Sequence, residues 1–133
     1  MLVEHARNLM GIDDAVHAEY GLDGTAIVNA LACSLVESEI TVDLTPGSQL
    51  AQIHGATTIV ERTNCNYVLN PEYAHIADAN GLVVSARDDT GEVRAIERTD
   101  HPFFVGTLYQ PQRSTSPETP HPLLVAFVRA TTS

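Results

Sequence analysis

The chain has 133 residues, 44% of them hydrophobic, and its 7 basic and 17 acidic side chains give a formal net charge of −10. This size and composition suit one globular domain. All basic residues are arginines, which excludes a Walker lysine, a Schiff-base lysine and the basic patch of a nucleic-acid-binding protein. We expect no membrane association and a cytoplasmic location, because there is no long apolar run, no signal segment and only two cysteines.

Hydrophobic periodicity predicts a helix followed by strands in the first half of the chain. Residues 2–10 have helical spacing and Gly11 suits the end of a helix, but no Ser, Thr, Asp or Asn precedes it to bond its first amides. Pro46 and Gly47 indicate a turn. The predicted strand or strand-and-loop segments are Ala26–Val28, Leu31–Val36, Glu39–Leu44, Gln49–His54 and Thr57–Arg62.

The second half alternates helices and strands. Pro71 suits the first turn of a helix over residues 71–80. Leu82–Arg87 and Glu92–Arg98 flank a turn sequence and predict a hairpin. Residues 103–109 predict a buried strand and residues 114–119 a polar loop. A last helix begins near Pro122.

Spacing alone identifies no reactive centre. The six histidines show none of the local patterns of metal ligands, so we expect no metal site, and each histidine is interpreted as a surface or locally bonded residue. Cys33 has apolar neighbours, typical of a buried, inert thiol. Cys65 lies in a more polar segment, where a reactive thiol is the alternative to an inert one.

Longer motifs give a sharper signal. His101-Pro-Phe-Phe-Val-Gly-Thr-Leu-Tyr-Gln-Pro-Gln112, followed by the segment 121–128, resembles the end of the glutaminase domain of CTP synthase, a class-I glutamine amidotransferase. Upstream segments 6–20, 59–70 and 81–92 are similar to that family in the same order. The resemblance implies an α/β, flavodoxin-like fold with a mixed sheet and flanking helices, represented by its C-terminal portion.

One branch of the family matches more closely. Segments 31–36, 65–71 and 108–111 resemble the CTP synthase C-terminal region-related proteins, some of which are selenoproteins. In the active family a cysteine on a strand-to-helix elbow is the nucleophile, and the elbow would precede Met1. We therefore expect residues 1–133 to be a single, N-terminally incomplete domain.

The resemblance places Gln110 and Gln112 at the catalytic histidine and glutamate positions. A carboxamide has no proton affinity near neutral pH, so Gln110 cannot act as a general base. We expect residues 1–133 alone to lack glutaminase activity. The alternative is an active amide hydrolase or amidotransferase in a longer form, with an upstream cysteine or selenocysteine.

The resemblance also implies the substrate contacts. Glu19 matches the glutamate that meets the amino group of glutamine, and Asn66 and Tyr67 lie where the family binds the rest of the substrate. Asn66 replaces an arginine, which removes a charge-assisted contact with a carboxylate. We expect a small amide or amino-acid ligand, no cofactor, and as partner a synthetase chain or a second copy in a homo-oligomer.

Overall fold

The computed structural model describes residues 1–21 and 23–132, and the side chain of Cys33 lies outside the described residues, with the interpretation of that thiol. The helices are α1 (Leu2–Met10), α2 (Gln49–His54) and α3 (Pro122–Thr131). The strands are β1 (Ala15–His17), β2 (Thr25–Leu44), β3 (Thr58–Leu69), β4 (Leu82–Asp88), β5 (Val93–Arg98) and β6 (Val105–Thr107). Short 3₁₀ segments cover Ala18–Tyr20, Pro71–Asp78 and Pro111–Arg113.

The six strands form one mixed sheet. Its order is β1-β2-β4-β5-β6, and β3 pairs with β2 away from this path. The β1–β2 pair is parallel and the other pairs are antiparallel. Strand β2 is long enough to pair with three neighbours, so it connects the β1 end of the sheet to the hairpin of β4 and β5.

The core divides into two clusters on opposite faces of the sheet. On β5, Ala95 packs in the cluster beneath α2 and α3, whereas Ile96 packs in the cluster beneath α1. Neighbouring residues of a strand point to opposite faces, which separates the clusters. The carboxylate of Glu97 accepts hydrogen bonds from the backbone N–H groups of Gln49 and Leu50 at 2.8 and 3.2 Å, which fixes the start of α2.

The predicted strand over Gln49–His54 is wrong, because these residues form α2. The Ser48 hydroxyl accepts a hydrogen bond from the Ala51 N–H, and Gly55 ends the helix with φ +62°. Both are ordinary helix-capping signals, and they outweigh the short apolar pattern that favoured a strand.

Other boundaries also differ from the prediction. The runs 26–28, 31–36 and 39–44 are parts of the single strand β2, and the helix predicted over 71–80 is a 3₁₀ segment with a kink at Tyr73. Only residues 105–107 of the predicted strand 103–109 are in the sheet.

The predictions of α1, the β4–β5 hairpin and α3 are confirmed. The segment 114–119 contains no helix or strand, as expected. Helix α1 has no side-chain cap at its first turn and ends at Gly11 in the left-handed conformation. Among the described residues, no helix has both the length and the apolar character needed to cross a membrane.

Candidate functional site

Two of the predicted substrate residues, Glu19 and Tyr67, meet around a histidine that the sequence did not single out. His17 ends β1, and its Nδ1 accepts a hydrogen bond from the Glu19 N–H at 3.2 Å. The imidazole centroid lies 4.7 Å from the Tyr67 ring and 5.7 Å from the Tyr20 ring. Because Nδ1 is an acceptor, the neutral ring holds its proton on Nε2. The three rings form an aromatic wall, and Glu19, whose side chain is exposed, contacts it through its backbone N–H.

Asn66 does not share this wall with Tyr67. The two residues are neighbours on β3, so their side chains point to opposite faces of the strand. The Asn66 Oδ1 instead accepts a hydrogen bond from the Ser34 hydroxyl on β2. The position that the resemblance assigns to substrate binding is therefore used in a contact between strands.

Gln110 is tied to the same strand by two hydrogen bonds. Its side-chain Oε1 accepts from the Asn64 N–H at 2.6 Å, and its own N–H donates to the Arg62 carbonyl at 3.0 Å. Asn64 precedes Tyr67 by three residues, about 10 Å along an extended strand. Gln112 lies in the following 3₁₀ turn with an exposed side chain. The two glutamines thus have different surroundings.

Cys65 lies between these contacts on β3. Its half-buried thiol donates to the Tyr67 carbonyl at 3.3 Å. The choice between a reactive and an inert thiol stays a prediction.

A cavity of about 200 Å³ opens between the two ends of the sheet. Its lining includes His17 of β1, Thr107 at the end of β6, and the first residues of α1. Strand β1 pairs only with β2, and β6 pairs only with β5, within the residues that the structure describes. Both free strand edges therefore have unpaired backbone groups.

A second polar cluster, absent from the sequence interpretation, is buried beside α2 and α3. His121 Nε2 and Glu61 Oε1 are 2.6 Å apart, and the side chains are each 4% exposed. The His54 ring lies 5.3 Å from that of His121. Burial lowers the pKa of His54, the nearby His121 lowers it further, and the Glu61 charge opposes the shift. Because the three residues come from different parts of the chain, no local spacing signals their contact.

The chain is similar in sequence to known proteins. No family model matches the chain. It is 34% identical to CTP synthase of Caulobacter sp. (strain K31) over 97% of its length and 32% identical to CTP synthase of Brucella ovis over 96%. It spans 27% of each of these relatives.

A solved structure extends the match to the fold. The glutaminase domain of Trypanosoma brucei CTP synthase, solved with bound acivicin, has a TM-score of 0.90 and 25% sequence identity with this chain. The match covers 98% of the chain and 55% of that structure. The chain is similar in sequence and fold to the glutaminase domain of CTP synthase. The predicted fold class, a mixed sheet with flanking helices of the class-I glutamine amidotransferase type, is confirmed.

Proposed function

We propose that this glutaminase-like chain binds a small amide or amino acid and that residues 1–133 alone do not hydrolyse glutamine. The resemblance places Gln110 and Gln112 where an active glutaminase has its histidine and glutamate. The proposed loss of turnover rests on Gln110.

The Gln110 carboxamide bridges two segments and does not take up a proton near neutral pH. Its Oε1 is occupied by the Asn64 N–H at 2.6 Å. A general base must take up a proton near the working pH, and a carboxamide oxygen is far too weakly basic to do so. Loss of a triad member typically lowers the rate by several orders of magnitude.

Ligand binding is proposed at the aromatic wall. Glu19 has an exposed side chain and donates its backbone N–H to His17 Nδ1, and the His17 ring lies 4.7 Å from the Tyr67 ring at an interplanar angle of 56°. A carboxylate attracts an ammonium group, and aromatic faces pack against the carbon chain of a small ligand. Asn66 bonds to Ser34 and offers no positive charge to a ligand carboxylate. We therefore favour ligands with a free amine over dicarboxylates.

The test combines a turnover assay with a binding assay on the purified chain. We expect no ammonia release from L-glutamine, and chemical-shift changes at the Glu19 and Tyr67 amides on titration with L-glutamine or its amide analogues. Glu19→Gln should weaken this binding. Glu118→Gln is the matched control, because it removes an exposed carboxylate from the distant loop 114–119.

Two results would contradict the proposal separately. Ammonia release that saturates with glutamine would refute the loss of turnover. Equal binding by the wild type and both variants would refute the assignment of Glu19. The loss of turnover and the binding role of Glu19 can therefore be refuted independently.

A longer form with an upstream nucleophile is the second candidate, because the cavity lies between two free strand edges. A strand added between β1 and β6 would meet unpaired backbone groups on both sides. It would also end beside the start of α1, where a strand-to-helix elbow places its nucleophile. The experiment is to extend the chain with its upstream coding sequence and measure glutaminase activity, with the upstream cysteine or selenocysteine replaced by serine as the control.

We also propose that the chain is a member of the CTP synthase C-terminal region-related branch and that it has a role in pyrimidine nucleotide metabolism. A partner synthetase chain or a homo-oligomer is supported by apolar side chains on the outside of α3, where Phe127 and Val128 are 51% and 58% exposed. Exposed apolar groups next to each other are typical of interfaces. Sedimentation of the purified chain tests for self-association.

A further inference from the structure

The buried cluster of His54, Glu61 and His121 has more polar atoms than its own hydrogen bonds satisfy. One nitrogen from each histidine and one Glu61 oxygen all lie within 4.8 Å of one another. His54 ends α2, Glu61 lies in β3, and His121 immediately precedes α3. Three elements that are separate in sequence therefore direct ligand-type atoms to one point.

Three buried atoms at this place have no partner within the described part of the chain: His54 Nε2, Glu61 Oε2 and Tyr109 Oη. Burial first, and then the Glu61 charge, raises the pKa of Tyr109, so its hydroxyl stays protonated. Buried polar atoms nearly always have partners, which are often water or an ion when protein groups are absent. The cluster is thus polar, enclosed and incomplete.

We propose that His54, Glu61 and His121 form a binding site for one divalent transition-metal ion of the zinc class. Two imidazoles and one carboxylate are a common donor set for Zn²⁺, with the fourth position open to water. The Tyr109 hydroxyl is a free donor for such a water or for the Glu61 carboxylate. This site is independent of the proposed loss of glutamine hydrolysis.

Ion binding requires a small rearrangement of the side chains. With metal–ligand bonds of about 2.0–2.2 Å, tetrahedral donors lie about 3.4 Å apart. His54 must therefore move inward, and the 2.6 Å contact between His121 and Glu61 must lengthen.

The hydrogen bonds of His121 also predict a specific change on binding. Its Nδ1 accepts from the Leu123 N–H at 3.2 Å, so the neutral ring has its proton on Nε2, directed at Glu61. A metal ion bound at Nε2 requires that proton to move to Nδ1. Nδ1 then ceases to accept from Leu123, and the first turn of α3 loses its cap. The Leu123 amide is therefore a reporter of metal binding.

The experiment titrates the untagged, metal-free chain with ZnCl₂ by calorimetry and with CoCl₂ by visible absorption. We expect one equivalent of Zn²⁺, Co²⁺ bands of a tetrahedral site, and a shift of the Leu123 amide that saturates at the same equivalent. His54→Gln should weaken binding at least about ten-fold. His75→Gln, which removes an exposed histidine, is the control and should bind as the wild type does.

The proposal is overturned if no ion binds, or if His54→Gln and His75→Gln bind alike. In either case a buried water would be the partner of the three free atoms. Circular dichroism first establishes that each variant folds. Should His54→Gln fail to fold, the Co²⁺ spectrum and the Leu123 amide of the unmodified chain decide the question, since an octahedral spectrum or an unmoved amide refutes the site.

Discussion

Asp88→Asn tests how far one buried ion pair stabilises the β4–β5 hairpin. The Asp88 Oδ2 accepts from Arg94 Nε at 2.7 Å, and the two side chains are 5% and 2% exposed. The Asp88 Oδ1 also accepts from the Thr90 and Glu92 backbone N–H groups at 3.0 Å. Asparagine retains an acceptor for the turn but removes the charge, so the substitution isolates the interaction with Arg94.

The expected loss of stability is large. Removal of one partner from a buried pair leaves the other charge without compensation, at a cost of about 3–5 kcal/mol. Arg94 Nη1 already has no partner within the described region, so the guanidinium has little to replace Asp88. With a urea m-value of about 2 kcal/mol/M, the unfolding midpoint should fall by about 2 M. Asp89→Asn changes the exposed neighbour and should alter the free energy of unfolding by less than about 0.5 kcal/mol.

The pH dependence of stability is a second, independent test of the Asp88–Arg94 pair. Burial alone raises the pKa of Asp88, but the hydrogen bonds from Thr90 and Arg94 and the Arg94 charge outweigh it, so the pKa is below its ordinary value. Stability from such a group is fully present above its unfolded pKa and is lost as the pH falls through its folded pKa. The difference between wild type and Asp88→Asn should therefore shrink in acid. Equal midpoints for Asp88→Asn and Asp89→Asn at neutral pH, or a difference unchanged in acid, would refute this reasoning.

Three further experiments test backbone geometry, a buried histidine and the bridge to β3. Gly24→Ala places a Cβ 2.3 Å from a backbone oxygen at φ +145°, so thermal unfolding should show a loss of more than about 1 kcal/mol in the free energy of unfolding. Gly91→Ala has the strain of φ +86° but meets no atom, so its loss should be only about 1 kcal/mol. Burial lowers the pKa of His5, so the unfolded chain takes up the proton first and stability falls as the pH drops below 6.5; melting of His5→Gln should show a weaker decline below this pH. Gln110→Ala removes the acceptor for the Asn64 N–H and should lower the free energy of unfolding, measured by urea denaturation, by about 1 kcal/mol, while Gln110→Glu retains an acceptor and should change it less.

The sequence predicted the elements that have strong local signals. Helix α1 and the β4–β5 hairpin follow from apolar spacing and turn residues, and the structure confirms both. Gln49–His54 was assigned to the wrong class because six residues are too few for periodicity to distinguish a helix from a strand. The capping residues Ser48 and Gly55 held the decisive information. Strand β2 was divided because its Ala- and Ser-containing middle lacks the alternation of a half-buried strand.

The candidate site was only partly accessible to sequence reasoning. The motif resemblance predicts Glu19 and Tyr67 as substrate contacts, which stays a prediction, and in the fold both residues contact His17. It could not identify His54, Glu61 and His121 as neighbours, since their contact depends on how α2 and α3 pack on the sheet. Local patterns along the chain predict helices, strands and turns, but contacts between distant elements are seen only in the folded structure.

Gln110, which the resemblance places at the catalytic histidine position, has a structural role in this chain. Its carboxamide accepts the Asn64 N–H without a charge, and its backbone N–H donates to Arg62, so the residue joins the 109–113 segment to β3. A histidine here could accept that same N–H only with a ring lone pair. A ring nitrogen occupied in this way could not take a proton from a nucleophile. Restoring a base at position 110 therefore requires a new partner for the Asn64 amide, as well as a change of side chain.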